Sequence, residues 1–173
     1  NVAQNHLISG KVPPRWGNAH PNVVPYQAFP TRDGHIIIAI GNDSQFAKFC
    51  EAAGQPQLAQ DPRFRTNKDR VDHREAIVGL MQPLVAGRTT REWLDTLGPL
   101  GVPCGPINDI RQTFEHEQVR HRGMQLQMAH PASGTVPLVA NPIRFREQPI
   151  EYQLPPPLLG QHTEAILSGM LGL

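Results

Sequence analysis

Hydrophobic positions along this chain come in short groups, and their spacing switches between strand-like and helix-like periods. Val23 to Phe29 and His35 to Ile40 are rich in β-branched and aromatic residues and flank Thr31-Arg32-Asp33-Gly34. An Asp-Gly turn between two such runs predicts a hairpin. Ile36 to Ile40 is apolar without alternation, which predicts a central strand covered on both faces. Phe46, Phe49, Cys50 and Ala53 then recur at i, i+3, i+4, i+7, behind an Asn42 cap with Gln45 reaching back, and Gly54 ends that helix. Ile77, Leu80, Met81, Leu84 and Val85 form a second stripe, which Pro83 should kink or end near Met81. Thr89 to Glu92 reads as a capping box ahead of Trp93, Leu94 and Leu97. Val102 to Ile107 holds too much proline for a central strand and is expected as an edge strand or a rigid crossover. Asn108 or Asp109 caps a helix through Phe114 to Val119. Gly123 to Met128 alternates as a strand, with Val136 to Val139 as its hairpin partner. Pro142 to Pro157 contains five prolines and reads as an extended strap, after which Thr163 caps an amphipathic helix bearing Ile166, Leu167, Met170 and Leu171. The expected fold class is α+β. It consists of a small antiparallel sheet from the strands near Tyr26, Ile38 and Leu126, with the Phe46, Leu80 and Trp93 helices packed on it. The spans divide as 1–22 (helix tail and loop), 23–140 (small domain) and 141–173 (strap and terminal helix).

Composition narrows the functional classes. Sixteen basic and fifteen acidic residues give a net charge of +1, so no field is available to hold nucleic acid or an anionic membrane. Eighteen prolines and fifteen glycines favour many turns and short elements over a helical bundle. No apolar run approaches the roughly 20 residues that span a bilayer. Cys50 and Cys104 lie far apart and form no Cys-x-x-Cys, which fits a reduced cytosol or organelle matrix. Val2 to Ile8 reads as the tail of a helix stopped by Gly10 and the first residue is Asn1, so the sequence is expected to begin inside a larger protein.

Candidate chemistry concentrates in Arg15-Trp16-Gly17-Asn18-Ala19-His20-Pro21-Asn22-Val23-Val24-Pro25-Tyr26. This loop brings an indole, a carboxamide, an imidazole and a phenol together, an inventory suited to ordering a polar ligand; the alternative is an ordinary ordered connection. Other candidates are weaker. Asp43 at the Asn42 helix start would repel a phosphate, so a structural cap is favoured there. Arg63, Arg65, Lys68, Arg70 and Arg74 are interleaved with Asp61, Asp69, Asp72 and Glu75, which favours a solvated face with local ion pairs. Cys50 reads as a small core hydrophobe, and Cys104 has no neighbouring group in sequence to activate it. His116 and His121 are five residues apart, about 140° around a helix, so His-Glu-x-x-His zinc geometry is lost and no metal site is expected.

Arg15, Gly17-Asn18-Ala19-His20-Pro21, Pro25-Tyr26, Phe29 and Asp33-Gly34 are followed by Asp61-Pro62-Arg63-Phe64 with Arg70 beyond. Glu92-Trp93, Gly101-Val102-Pro103-x-Gly105-Pro106 and Pro156-Pro157-x-Leu159-Gly160-Gln161-His162-Thr163 come next. In this order and spacing the chain resembles the C-terminal segment of class III CoA-transferases of the CaiB/BaiF type, which include formyl-CoA transferase and α-methylacyl-CoA racemase. The resemblance implies an enzyme that moves CoA between an acyl-CoA and a carboxylic acid through an aspartyl mixed anhydride and an enzyme thioester. Coenzyme A is then a substrate and no further cofactor is implied. The nucleophilic aspartate and a Rossmann-like large domain are expected before Asn1, with the terminal strap and helix returning to that domain and an interlaced homodimer in the full-length protein. Asp33, Asp43 and Asp61 sit in turn or cap settings and are not promoted to nucleophile. The same resemblance assigns Arg15, Gly17, Asn18, Ala19, His20, Pro21, Asn22 and Tyr26 to a loop that folds over the intermediates. Asn-Ala-His-Pro-Asn stands where formyl-CoA transferase has a glycine run, which counts against formyl or oxalyl groups and favours a larger dicarboxylic acyl group. A racemase of the same family and a non-catalytic binding domain are the alternatives.

Overall fold

The computed structural model describes all 173 residues, which fall into two compact units, Asn1–Ile107 and Asn108–Leu173. The second unit begins within the span 23–140. In the first unit, α1 (Val2–Ser9) ends at Gly10, whose φ of 70° gives the left-handed C-cap that glycine adopts without a Cβ penalty. The hairpin β1 (Tyr26–Pro30) and β2 (His35–Ala39) pairs Tyr26 with Ala39 and Pro30 with His35. Next come α2 (Asp43–Ala52), α3 (Asn67–Asp72), α4 (Arg74–Ala86), α5 (Thr90–Leu97) and the short β3 (Cys104–Pro106). Strand β2 is central in the antiparallel order β1-β2-β3, and the proline-rich β3 is an edge, where a missing backbone donor is tolerated.

The core lies on one side of this sheet. Phe29, Ile36, Ile38, Ile40, Phe46, Phe49, Phe64, Ile77, Met81, Val85, Trp93 and Leu97 are all buried. The expected coverage of β2 on both faces is not found. Ile36 and Ile38 point into the core, whereas Ile37 is 38% exposed, because the helices of this unit cover one face only. The α4 stripe is also rotated. Its buried row is Ile77, Met81 and Val85 at i, i+4, i+8, and Leu80, about 100° from the centre of that row, is 42% exposed. Pro83 does not end the helix. A proline ring crowds the carbonyl four residues back, here that of exposed Gly79, where a tilt toward water relieves it, and the last turn is anchored by buried Val85, whose carbonyl accepts from Trp93 Nε1 at 2.8 Å.

In the second unit, Asp109 and Gln112 form a reciprocal capping box on α6 (Ile110–Glu115). The continuous helix expected through Val119 is broken at His116, whose ψ of 132° is extended, and α7 (Glu117–His121) starts afresh from it. The hairpin β4 (Gln125–His130) and β5 (Gly134–Val139) sets Leu126 opposite Leu138 and Met128 opposite Val136. It forms its own two-stranded sheet, so Leu126 does not join the Tyr26 and Ile38 strands; Cys104–Pro106 takes that place. The strap carries no regular element, and the terminal segment Ala165–Met170 is π-helical, preceded by Glu164 where Thr163 had been expected as the cap. No helix is long and apolar enough to cross a membrane.

Candidate active-site loop

The loop begins at Trp16 and is tied at many points. Gly17 takes φ 59°, the left-handed value that allows Ala19 N to reach Trp16 O at 3.0 Å. Asn18 Oδ1 accepts from Ala28 N at 2.9 Å, fastening the loop to β1, while its amide nitrogen makes no bond within the protein. His20 N donates to Tyr26 O at 2.9 Å, and its imidazole lies flat against the Tyr26 ring, with centroids 5.4 Å apart and planes within 11°. His20 Nδ1 accepts from Asn22 N at 3.1 Å, so the neutral ring carries its proton on Nε2, which lies 3.4 Å from the Asn1 side-chain amide. Asn5 Nδ2 donates to Asn22 Oδ1 at 2.7 Å, which ties α1 to the loop. Arg15 and Tyr26 are exposed, Ala19 and Pro21 half-buried, and Arg15 engages no carboxylate.

The other side of the loop is held by three side chains of α3 and α4, of which Arg70 and Arg74 differ from the solvated face expected for them and Asn67 had drawn no expectation. Asn67 brackets two peptide groups, donating from Nδ2 to Asn22 O at 2.9 Å and accepting at Oδ1 from Val24 N at 3.1 Å. Arg70 is completely buried. It donates from Nε to Val24 O at 2.7 Å, from Nη1 to Phe64 O at 2.8 Å and from Nη2 to Asp43 Oδ1 at 2.8 Å, with its guanidinium 4.4 Å above the Phe46 ring. Arg74 Nη2 donates to His20 O at 2.9 Å and Pro21 O at 2.8 Å, and its guanidinium stacks 4.6 Å above Trp16. A signal for this was present. Lys68 has Asp72 at i+4 and Arg63 has Asp61 two residues back, and both pairs form. Arg70 and Arg74 have no acid three or four residues away in either direction, and with Asn67 they share one helical face.

None of the acidic side chains weighed as nucleophiles is free. Asp33 Oδ1 accepts from Thr90 N at 2.8 Å, and that amide holds its carboxyl below the ordinary carboxylate value. Asp61 is held low by Arg63, which reaches it through Nε and Nη2, and Asp43 is paired with Arg70. Burial pushes the Cys50 thiol up to about 12 and raises Cys104, so neither presents a thiolate near neutral pH.

The sequence model of CoA-transferase family III matches residues 1–163. The chain belongs to CoA-transferase family III. Among family members similar to it, a mouse succinyl-CoA:glutarate CoA-transferase is 41% identical over 98% of this chain and 39% of its own length. A succinate–glutarate CoA-transferase of Agrobacterium fabrum is 38% identical over 97% of this chain and 42% of its own length. The crystal structure of a CaiB/BaiF family protein from Brucella suis is 40% identical, superposes with a TM-score of 0.80, and is covered over 43% of its length by 98% of this chain. The chain thus spans about two fifths of the length of these relatives.

Proposed function

We propose that the full-length protein transfers CoA between an acyl-CoA and a dicarboxylic acid, with succinyl-CoA as donor and glutarate as acceptor, and that this chain supplies the loop that orders the acyl intermediates. The observation that carries the reading is the agreement in name of the mouse and Agrobacterium relatives, each aligned over nearly all of this chain. The loop supports it by presenting an imidazole and a carboxamide on a backbone fastened to β1 and α4, on rigid supports of the kind such a site requires. In the proposed sequence an aspartate from the remainder of the protein attacks the succinyl thioester carbonyl, expelling CoA thiolate and leaving a mixed anhydride. The thiolate then attacks the aspartyl carbonyl, releasing succinate and forming an enzyme thioester. Glutarate attacks that thioester and the steps reverse to give glutaryl-CoA. An anhydride is sensitive to water, so a loop closing over it protects the intermediate as well as orienting it. In this reading His20, through the Nε2 that lies beside the Asn1 side-chain amide, and the amide of Asn18 supply hydrogen bonds to oxygens of the acyl group.

The test uses the full-length protein. Glutaryl-CoA formation from succinyl-CoA and glutarate should exceed formation of oxalyl-CoA from the same donor and oxalate. His20→Ala and Asn18→Ala should lower kcat, because removing a donor to a developing oxyanion typically costs about 2.7–4 kcal/mol. Unchanged kcat with a lowered melting temperature would make the loop a structural turn.

A further inference from the structure

The geometry points to Arg74 as the positioning residue of this loop, a role that rests on the reading above that the loop acts in transfer. Its Nη2 donates to the carbonyls of both His20 and Pro21, so a single nitrogen fixes two successive peptide planes beside the imidazole. Its guanidinium lies 4.6 Å above the Trp16 ring, which joins the start of the loop to its middle across the left-handed turn at Gly17. Yet Arg74 Nη1 and Trp16 Nε1 are both buried without an acceptor, and burial pulls the guanidinium down from its ordinary value. Stranded donors destabilise the folded state. Arg70, one turn earlier, donates from Nε, Nη1 and Nη2 alike and serves the core. The Arg74 arrangement therefore fixes a loop shape at a cost in stability, which is the signature of a group that places other residues.

Placement matters because a shift of about 1 Å in a reacting geometry can lower a rate roughly 100-fold. Arg74→Met keeps the stem and bulk and removes every donor, whereas Arg74→Lys keeps a charge without the flat fork. In the full-length protein, hydrogen exchange of the peptide spanning 16–24, the melting temperature, kcat and KM are compared with those of the wild type. Arg74→Met should raise exchange in that peptide about tenfold or more, as loss of a charge-assisted hydrogen bond implies, and leave exchange across Ile36–Ile40 unchanged. It should lower kcat by about 10- to 100-fold, with KM and melting temperature little altered, and Arg74→Lys should recover part of the rate. Arg74→Lys carries the same comparison if the methionine variant does not fold. Unchanged exchange in the loop overturns the proposal. Raised exchange with full kcat does so as well, in a protein whose His20→Ala variant has lost transfer. Failure of the underlying reading looks different: His20→Ala and Asn18→Ala then both retain kcat, and the proposal falls with that reading.

Discussion

Asn1–Ile107 and Asn108–Leu173 use their apolar side chains in opposite ways. The first buries a continuous set that includes Trp93, three isoleucines of the β2 segment and four phenylalanines, whereas the second buries only Ala140 and leaves Phe145 60% exposed and Leu159 fully exposed. Order in the second unit comes from backbone pairing of β4 with β5 and from helix caps, each of which satisfies peptide groups without removing much apolar surface from water. Hydrophobic burial supplies most of the favourable free energy of folding, so the global stability of this chain should reside in the first unit.

Truncation measures that contrast directly. In denaturant titrations of the chain, Trp93→Ala should cost about 3–5 kcal/mol and Met81→Ala about 2–5 kcal/mol. Leu80→Ala, on the exposed side of α4, should cost less than about 1 kcal/mol, and Phe145→Ala should fall within about 0.5 kcal/mol of the wild type. A Phe145 effect equal to that of Trp93 would show that the second unit has a core of its own.

Arg70 gives a smaller, polar counterpart. Replacing it with methionine leaves the carbonyls of Val24 and Phe64 without donors inside the first unit, so Arg70→Met should cost about 2–4 kcal/mol. Asp43→Asn, at the half-exposed end of the same pair, should cost no more than about 1 kcal/mol. Equal costs would mean that the ion pair, and not the buried carbonyl contacts, is what Arg70 contributes.

The elements that could be read from the sequence are those set by local rules. The Asp33-Gly34 hairpin, the Asn42 cap, the Thr89/Glu92 box and the edge position of the proline-rich strand depend on residues close in sequence. The differences arise where distant packing decides. Nothing local shows that β2 has helices on one face only, that Val85 holds α4 together beyond Pro83, or that β4 pairs within its own hairpin instead of joining the first sheet. The turn-forming residues from Gly17 to Pro25 were legible locally, but the anchors of that segment were passed over, because Arg70 and Arg74 lie about fifty residues away in a mixed-charge stretch and only their lack of an acid at helical spacing sets them apart.

Helix caps give the finest comparison of the two units. Thr89 and Asp109 head equivalent capping boxes, and removing either cap by alanine substitution should weaken its helix by about 1 kcal/mol. Helix α5 carries buried Trp93 and Leu97, so the loss in Thr89→Ala should appear in full in global unfolding; α6 buries no side chain, so Asp109→Ala should speed local exchange around Ile110–Glu115 and leave the midpoint unchanged. The first box also titrates. Donation from the Thr89 amide, then its hydroxyl, holds the Glu92 carboxyl below the usual glutamate value. Its contribution is therefore present above about pH 4.3 and is lost as pH falls through the lower folded-state value. Glu92→Gln retains an oxygen for the Thr89 amide and removes the ionisation, so it should flatten the acid limb of the stability profile while changing neutral-pH stability little. If Asp109→Ala instead moved the global midpoint as far as Thr89→Ala, the two units would unfold as one cooperative block, and the difference in their buried side chains would no longer explain where this chain keeps its stability.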